Sequence, residues 1–170
     1  MLIHDLLEKS AERYPDKTAL IFKNRRLSYA EIDTESNTFA NALISLNVKP
    51  GERVAIHLPN SIETVISIFG TLKASCIFSV INPATKINKL IYILNNCSAA
   101  VLVTSQNSAL FYEKVKKQVP SLRYIISTHK ETTERGAAYL VSFDTLLSKA
   151  PSQKPSYSVQ SHNLACIIYT

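Results

Sequence analysis

Apolar residues along the chain switch between two spacings, every second position and every third or fourth, and the switches mark out its elements. The clearest stretch runs from Gly51 to Pro83, GERVAIHLPNSIETVISIFGTLKASCIFSVINP. Val54, Ile56 and Leu58 alternate as in a strand, which Pro59 stops. Asn60 with Glu63 three residues later predicts a capped helix start, and Ile62, Val65, Ile66, Phe69 and Leu72 then recur on one helical face. Ile77, Phe78, Val80 and Ile81 form the continuous apolar run of a strand covered on both sides, ended by Asn82-Pro83. Strand, helix and strand in this order make a unit of two parallel strands with a crossover helix.

The same reading extends in both directions. Ile3, Leu6, Leu7, Ala11 and Tyr14 define the apolar face of a first helix that Pro15 ends. Thr18 to Phe22 and Arg26 to Tyr29 flank Asn24-Arg25 as a hairpin, after which Ser28 and Glu31 form a capping box. That box opens a long helix with Ile32, Phe39, Leu43 and Leu46 inward, closed by Asn47 and Pro50-Gly51. Beyond Pro83 follow a helix with Ile87, Leu90, Ile91 and Leu94 inward and a strand from Ala99 to Val103. Then come a helix with Leu110, Phe111 and Val115 inward and Lys114, Lys116 and Lys117 outward, and a strand from Arg123 to Ile126. Residues 128–137 read as an exposed polar loop, and Ser142 caps a short helix through Leu147. Strands alternating with helices predict an α/β fold, a mostly parallel sheet flanked by helices with an N-terminal β-hairpin. The expected organisation is an α/β portion over 1–149, a proline- and serine-rich linker over 150–163, and a final strand over 164–170.

Charge and cysteine usage narrow the class. Lysine and arginine number 19 against 13 acidic residues, for a net charge of +6. Residues 1–56 carry eight of each sign, so the excess lies in the remainder, on Lys86, Lys89, Lys114, Lys116, Lys117, Arg123 and Lys130. Without interleaved aromatic residues this is a solvated basic surface, and no nucleic acid partner is expected. Cys76, Cys97 and Cys166 are odd in number and far apart, as in reduced, mostly buried thiols. The N-terminus matches neither a secretory signal nor a transit peptide, and the apolar run from Val65 to Ile81 is broken by Gly70 and Lys73. A cytoplasmic protein without a transmembrane segment is the expectation.

Candidate chemistry is sparse. His4, His57, His129 and His162 fit no metal spacing, so no metal site is expected. There is no G-x-S-x-G, no H-E-x-x-H and no glycine-rich loop, since the glycines are Gly51, Gly70 and Gly136. Leu58-Pro59-Asn60 reads as a strand stop and helix cap, Asn82-Pro83 as a turn, and Tyr29 with Glu31 as the join between hairpin and helix. Lys73, at a helix end, is placed to meet the terminal carbonyls. These residues alone describe an α/β domain without an active site.

Four segments in order resemble the N-terminal portion of the adenylate-forming superfamily, which includes acyl-CoA synthetases and the adenylation domains of peptide synthetases. They are PDKTALIF with LSYAEID between Pro15 and Asp33, the stretch from Gly51 to Pro83, INKLIYILNNCSAAVLVTS from Ile87 to Ser105, and LACIIYT from Leu164 to Thr170. The last resembles the strand entering the family's phosphate-binding loop, Y-T-S-G-[ST]-T-G-x-P-K-G. Two positions depart from the pattern: Ser75 stands where glycine is usual, compatible if its backbone angle stays negative, and Asn163 stands where aspartate is common.

The resemblance implies an incomplete N-terminal subdomain of the adenylate-forming fold. It implies ATP, Mg2+ and coenzyme A, or a carrier protein's phosphopantetheine, as cofactors of a full enzyme, and a small carboxylic acid as substrate. Partners would be the remainder of the ligase chain and, for one branch, an acyl carrier protein. Thr170 matches the first hydroxyl of the loop and is the one position carried over as a ligand contact. The catalytic groups of the family fall after it, so the chain is expected to be inert alone. An acyl-CoA synthetase is favoured by the region from Ile87 to Ser105. An amino-acid adenylating enzyme that loads a carrier protein stays open, as does a non-catalytic half-domain, which would leave Ile167 and Ile168 uncovered.

Overall fold

The computed structural model describes residues 1–129, 137–157, 160 and 162–169. Helix α1 (Ile3–Arg13) leads into the antiparallel hairpin β1 (Thr18–Phe22) and β2 (Arg25–Ser28). Then follow α2 (Tyr29–Ser45), β3 (Arg53–His57), α3 (Ile62–Lys73), β4 (Ile77–Val80), α4 (Ile87–Asn96) and β5 (Ala99–Thr104). The order closes with α5 (Ala109–Gln118), β6 (Tyr124–Ser127), β7 (Leu140–Ser142) and α6 (Phe143–Lys149). Strands β3 to β7 form one sheet in the order β4-β3-β5-β6-β7, every pair parallel, while the hairpin stands apart as a two-stranded sheet. The α/β architecture read from the periodicity is therefore present. β7 is an addition: at three residues it is too short to show a period.

Alternation along the strands sends successive side chains into two cores. Val54, Ile56, Val101, Val103 and Ile126 face the layer of α2, α3 and α6, whereas Ala55, Leu102 and Ile125 face α4 and α5. The central strand β5 is buried at all six positions, as expected where both faces are covered. Helices α2 and α3 meet closely at Gly70, where a Cβ would lie 2.8 Å from the Ser36 carbonyl oxygen and from the Phe39 ring. Phe39, fully buried, stacks on Phe143 with ring centroids 5.4 Å apart. The Ser28–Glu31 capping box forms as read, with Ser28 N–H donating to Glu31 at 2.7 Å and Glu31 N–H to Ser28 Oγ at 3.2 Å.

Several local expectations are corrected. In α1 the buried residues are His4 and Leu7, while Ile3, Leu6 and Tyr14 are exposed, because Glu8 beside them reaches a buried lysine and sets the helix's rotation. The hairpin turns at Lys23-Asn24, with Lys23 at φ 53°, one residue earlier than Asn24-Arg25. In α5, Tyr112 and Val115 are buried and Leu110 is 77 % exposed. Leu110 thus forgoes the roughly 1.5–3 kcal/mol of full burial, while Tyr112 packs inward because its hydroxyl finds acceptors there. Strand β4 is an edge, half-covered with Val80 exposed, and Ser75 before it adopts φ +59°, opposite in sign to the expectation.

The C-terminal segments differ as well. Of the linker read over 150–163, residues 151–154 are docked: Asn41 Nδ2 donates to the carbonyls of Pro151 and Gln153 at 2.8 and 2.7 Å, and Lys154 Nζ to Glu8 at 2.6 Å. Residues 164–169 are not a full strand. They touch the sheet at one parallel bridge, Phe78 with Cys166, through Phe78 N–H to Ala165 O at 3.1 Å and Ile167 N–H to Phe78 O at 3.0 Å. Leu164 and Ile168 remain 59 % and 74 % exposed. Lys130 and most of the 128–137 loop, at 130–136, lie outside the described residues.

Candidate functional site at the carboxyl end of the sheet

The order of the strands locates a crevice. From β3 the chain crosses to β4 on one side and then to β5 on the other, so the connections diverge above β3 and β5, where open α/β sheets receive ligands. A row of buried polar side chains runs along this end. His57, Thr104, Ser127 and Ser142 close β3, β5, β6 and β7 and are register partners of one another, His57 with Thr104, Thr104 with Ser127, Ser127 with Ser142.

Each hydroxyl of the row holds the chain that leaves its strand. Thr104 Oγ1 accepts from Gln106 N–H at 3.2 Å, Ser127 Oγ from His129 N–H at 3.1 Å, and Ser142 Oγ from Thr145 N–H at 3.4 Å, capping α6 as read. Tyr112 donates its hydroxyl hydrogen within this set, with Ser127 Oγ 3.0 Å away and the Gln106 carbonyl also in contact. His57 lies 3.4 Å from Thr104 Oγ1 through Nδ1, with Phe111 nearly parallel to its ring at 6.4 Å. Burial pushes the His57 pKa down, partly offset by the Pro83 backbone. The sequence reading missed this row; its signal is that each of these apolar runs ends on a residue able to hydrogen-bond through its side chain.

The loops on either side are internally satisfied. Helix α3 is capped by Ser61, whose Oγ accepts from Thr64 N–H at 3.3 Å, and not by Asn60; Thr64 Oγ1 in turn donates to the Pro59 carbonyl at 2.8 Å. Leu58-Pro59-Asn60 is thus the lead into the cap. Asn82 Oδ1 accepts from Ala84 N–H at 2.8 Å, shaping the turn as read. Between this turn, α4 and Tyr169 lies a cleft of about 100 Å³ whose rim includes Lys89. Small-molecule sites begin at roughly 300 Å³.

Residues 164–169 run parallel to β4 and bring Tyr169 to this end, where its hydroxyl donates to Asn96 Oδ1 at 2.6 Å. Thr170, the ligand contact implied by the resemblance, lies outside the described residues.

Other singled-out residues are placed elsewhere. Lys73 does not meet helix carbonyls: its side chain is 2 % exposed, and Nζ lies 2.7 Å from Asp33 and from Asn37 and 3.3 Å from Glu8. Cys76 and Cys97 are buried, and burial, with Glu52 nearby, pushes the Cys76 thiol up to about 12. Burial likewise raises Cys97, so neither is an activated nucleophile. Among the described residues no group of three or more His, Cys, Asp or Glu could hold a metal ion, and no helix is long and apolar enough to cross a membrane.

Similarity to known proteins follows the same outline. A family model described as AMP-binding enzyme matches residues 7–170. The chain is 30 % identical over 169 aligned residues to tyrocidine synthase 2 of Brevibacillus parabrevis, covering 99 % of this chain and 4 % of that protein. Crotonobetaine/carnitine–CoA ligase of Salmonella paratyphi A is 35 % identical over 120 residues, 68 % of this chain and 23 % of its own. Among solved structures, the anthranilate CoA ligase AuaEII in complex with anthranoyl-AMP matches with a TM-score of 0.87 at 26 % identity, over 100 % of this chain and 31 % of its own. The chain therefore spans less than a third of each.

Proposed function

This chain belongs to the AMP-binding enzyme family, and from that premise we propose that it is the N-terminal part of an ATP-dependent carboxylic acid ligase. In the proposed reaction a carboxylate oxygen attacks the α-phosphorus of ATP, releasing pyrophosphate and forming an acyl-adenylate; a thiol then takes the acyl group and AMP leaves. Activation is needed because a carboxylate is a poor electrophile, whereas its mixed anhydride with AMP carries a good leaving group. The single observation that carries this reading is the family match over residues 7–170.

Coenzyme A is the thiol we favour, on the resemblance of residues 87–105 and on the similarity to a carnitine–CoA ligase. The second reading, an adenylating unit that passes an amino acid to a carrier protein's phosphopantetheine, is supported by the similarity to a tyrocidine synthase along nearly the whole of this chain. Thr170 is proposed to open the phosphate-binding loop. The course of residues 164–169 beside β4, toward the carboxyl ends of the strands, supports that role.

The described residues do not fit ATP and Mg2+ by themselves: the cleft holds about 100 Å³, and no acidic cluster is at hand. The 170-residue chain is accordingly proposed to be inert alone. Its own part in the chemistry is to carry the sheet and loop exits on which a nucleotide site is completed.

The test is carboxylate-dependent exchange of labelled pyrophosphate into ATP, run on the 170-residue chain and on the product of the coding frame read past the Thr170 codon. Exchange by the longer product and none by the chain is expected. Failure of the longer product with a broad panel of carboxylic acids would sink the ligase reading, and exchange by the chain alone would sink its inertness.

A further inference from the structure

His57 differs from the other members of the polar row. It is 2 % exposed, and its Nε2 is buried without a hydrogen-bond partner among the described residues. Its proton can be placed by counting. Thr104 Oγ1 already accepts from Gln106 N–H, which leaves the hydroxyl hydrogen free to point at His57 Nδ1, 3.4 Å away. Nδ1 is then the acceptor, and a neutral imidazole with an accepting Nδ1 carries its hydrogen on Nε2. The group that interacts with that proton is the backbone of Pro83, and a proline backbone can only accept. No charge competes: α5 presents Phe111, β5 presents Thr104 and the turn after β4 presents Pro83, none ionised near neutrality.

We propose that His57 is a positioning residue: a neutral imidazole, protonated on Nε2, that ties the ends of β3 and β5 to the Asn82–Pro83 turn and so sets the mouth of the crevice. Only the identity of what the crevice binds rests on the ligase reading; the tie itself is a property of this chain. In this arrangement one side chain spans the point where the sheet's connections diverge. A change in its protonation or shape moves the turn after β4 relative to the exit of β5. The neutral form is the one that fits, so the contribution of His57 to stability is fully present above the ordinary histidine value of about 6.5 and is lost as pH falls through its lower folded value.

The experiment is nitrogen-15 NMR of the imidazoles in the 170-residue protein, with His57→Gln assigning the resonance. A single neutral tautomer with hydrogen on Nε2, titrating below the ordinary histidine range, is expected. Thr104→Val removes the donor to Nδ1 and should give a mixture of tautomers, while Thr104→Ser should restore the single one. An ordinary titration, hydrogen on Nδ1, or a tautomer indifferent to Thr104→Val overturns the proposal; should the valine variant fail to fold, the wild-type tautomer and titration still decide. In the exchange assay on the longer product, His57→Leu should raise KM roughly tenfold with kcat little changed, and His57→Gln, which keeps an N–H, should recover most of that loss. A fall confined to kcat overturns the positioning role. Absence of exchange in the wild-type product instead counts against the ligase reading and leaves the NMR result standing.

Discussion

Two constellations of buried polar groups differ in charge and in completeness. Lys73, on α3, is an ion held by Asp33 and Asn37 of α2 and by Glu8 of α1, and Glu8 also receives Lys154 from the docked segment. All three hydrogens of its ammonium have acceptors. The row of His57, Thr104, Ser127 and Ser142 is uncharged, lies along the strand exits and keeps one imidazole nitrogen unspent. A charge taken out of water must be fully compensated, so the lysine set is committed to joining helices. A neutral row costs less to leave partly unsatisfied, and it is found where the sheet order opens a crevice.

The largest effect should come from breaking the charged set. Lys73→Ala leaves Asp33 and Glu8 facing each other without their cation and should cost about 3 kcal/mol, the low end for a broken buried pair because both carboxylates keep some exposure. Urea unfolding measures it. The pH dependence follows from Glu8: burial raises its pKa, but Lys154 and Lys73 outweigh that and hold it below the ordinary 4.5. A depressed carboxylate contributes stability that is present above 4.5 and lost as pH falls through the lower folded value. Acid loss should therefore be shallower in Lys73→Ala than in the wild type.

Tyr112→Phe probes the other constellation. It removes one hydroxyl that donates within the row while preserving the buried ring, and about 1 kcal/mol should be lost in the same unfolding measurement. If it costs more than Lys73→Ala, the division into an obligatory charged joint and a tolerant neutral row is wrong.

The sequence announces the elements far better than it announces these two sets. Period and caps predict the helices from Ile62 and Tyr29 and the strands at Val54 and Val101 because those signals are local. Lys73 looks like an ordinary helix-end lysine, since its partners lie 40 and 65 positions away and no local pattern links Glu8, Asp33 and Lys73. The row is equally scattered, one residue per strand, and becomes visible only once the register is known. Residues 164–168 read as a buried strand from composition alone, yet Ile168 is exposed and only Cys166 bridges β4. Burial depends on neighbours that an apolar run cannot specify. At the exits, periodicity finds where strands stop but not which stopping residue is left with a free nitrogen.

The smallest effect should come from Ser75, which sits between the two constellations, two residues after Lys73 and just before β4. Its φ of +59° lies in the left-handed region, costing a non-glycine residue about 1–2 kcal/mol, and its hydroxyl is buried without a partner among the described residues. The conformation is held by its neighbours: Ser75 N–H donates to the Leu72 carbonyl at 3.0 Å, and Gly51 N–H donates to the Ser75 carbonyl at 2.8 Å. Ser75→Gly removes the steric cost and the stranded hydroxyl, while the freer unfolded chain takes back roughly 0.4–1 kcal/mol. A net gain of about 0.5–1 kcal/mol should raise the thermal midpoint by about 2 °C. Because Ser75 shares no partner with Lys73, the gain should persist undiminished in the Ser75→Gly, Lys73→Ala double variant. A gain that vanishes there would mean that the strained turn is maintained by the charged set, and that the two regions are one device.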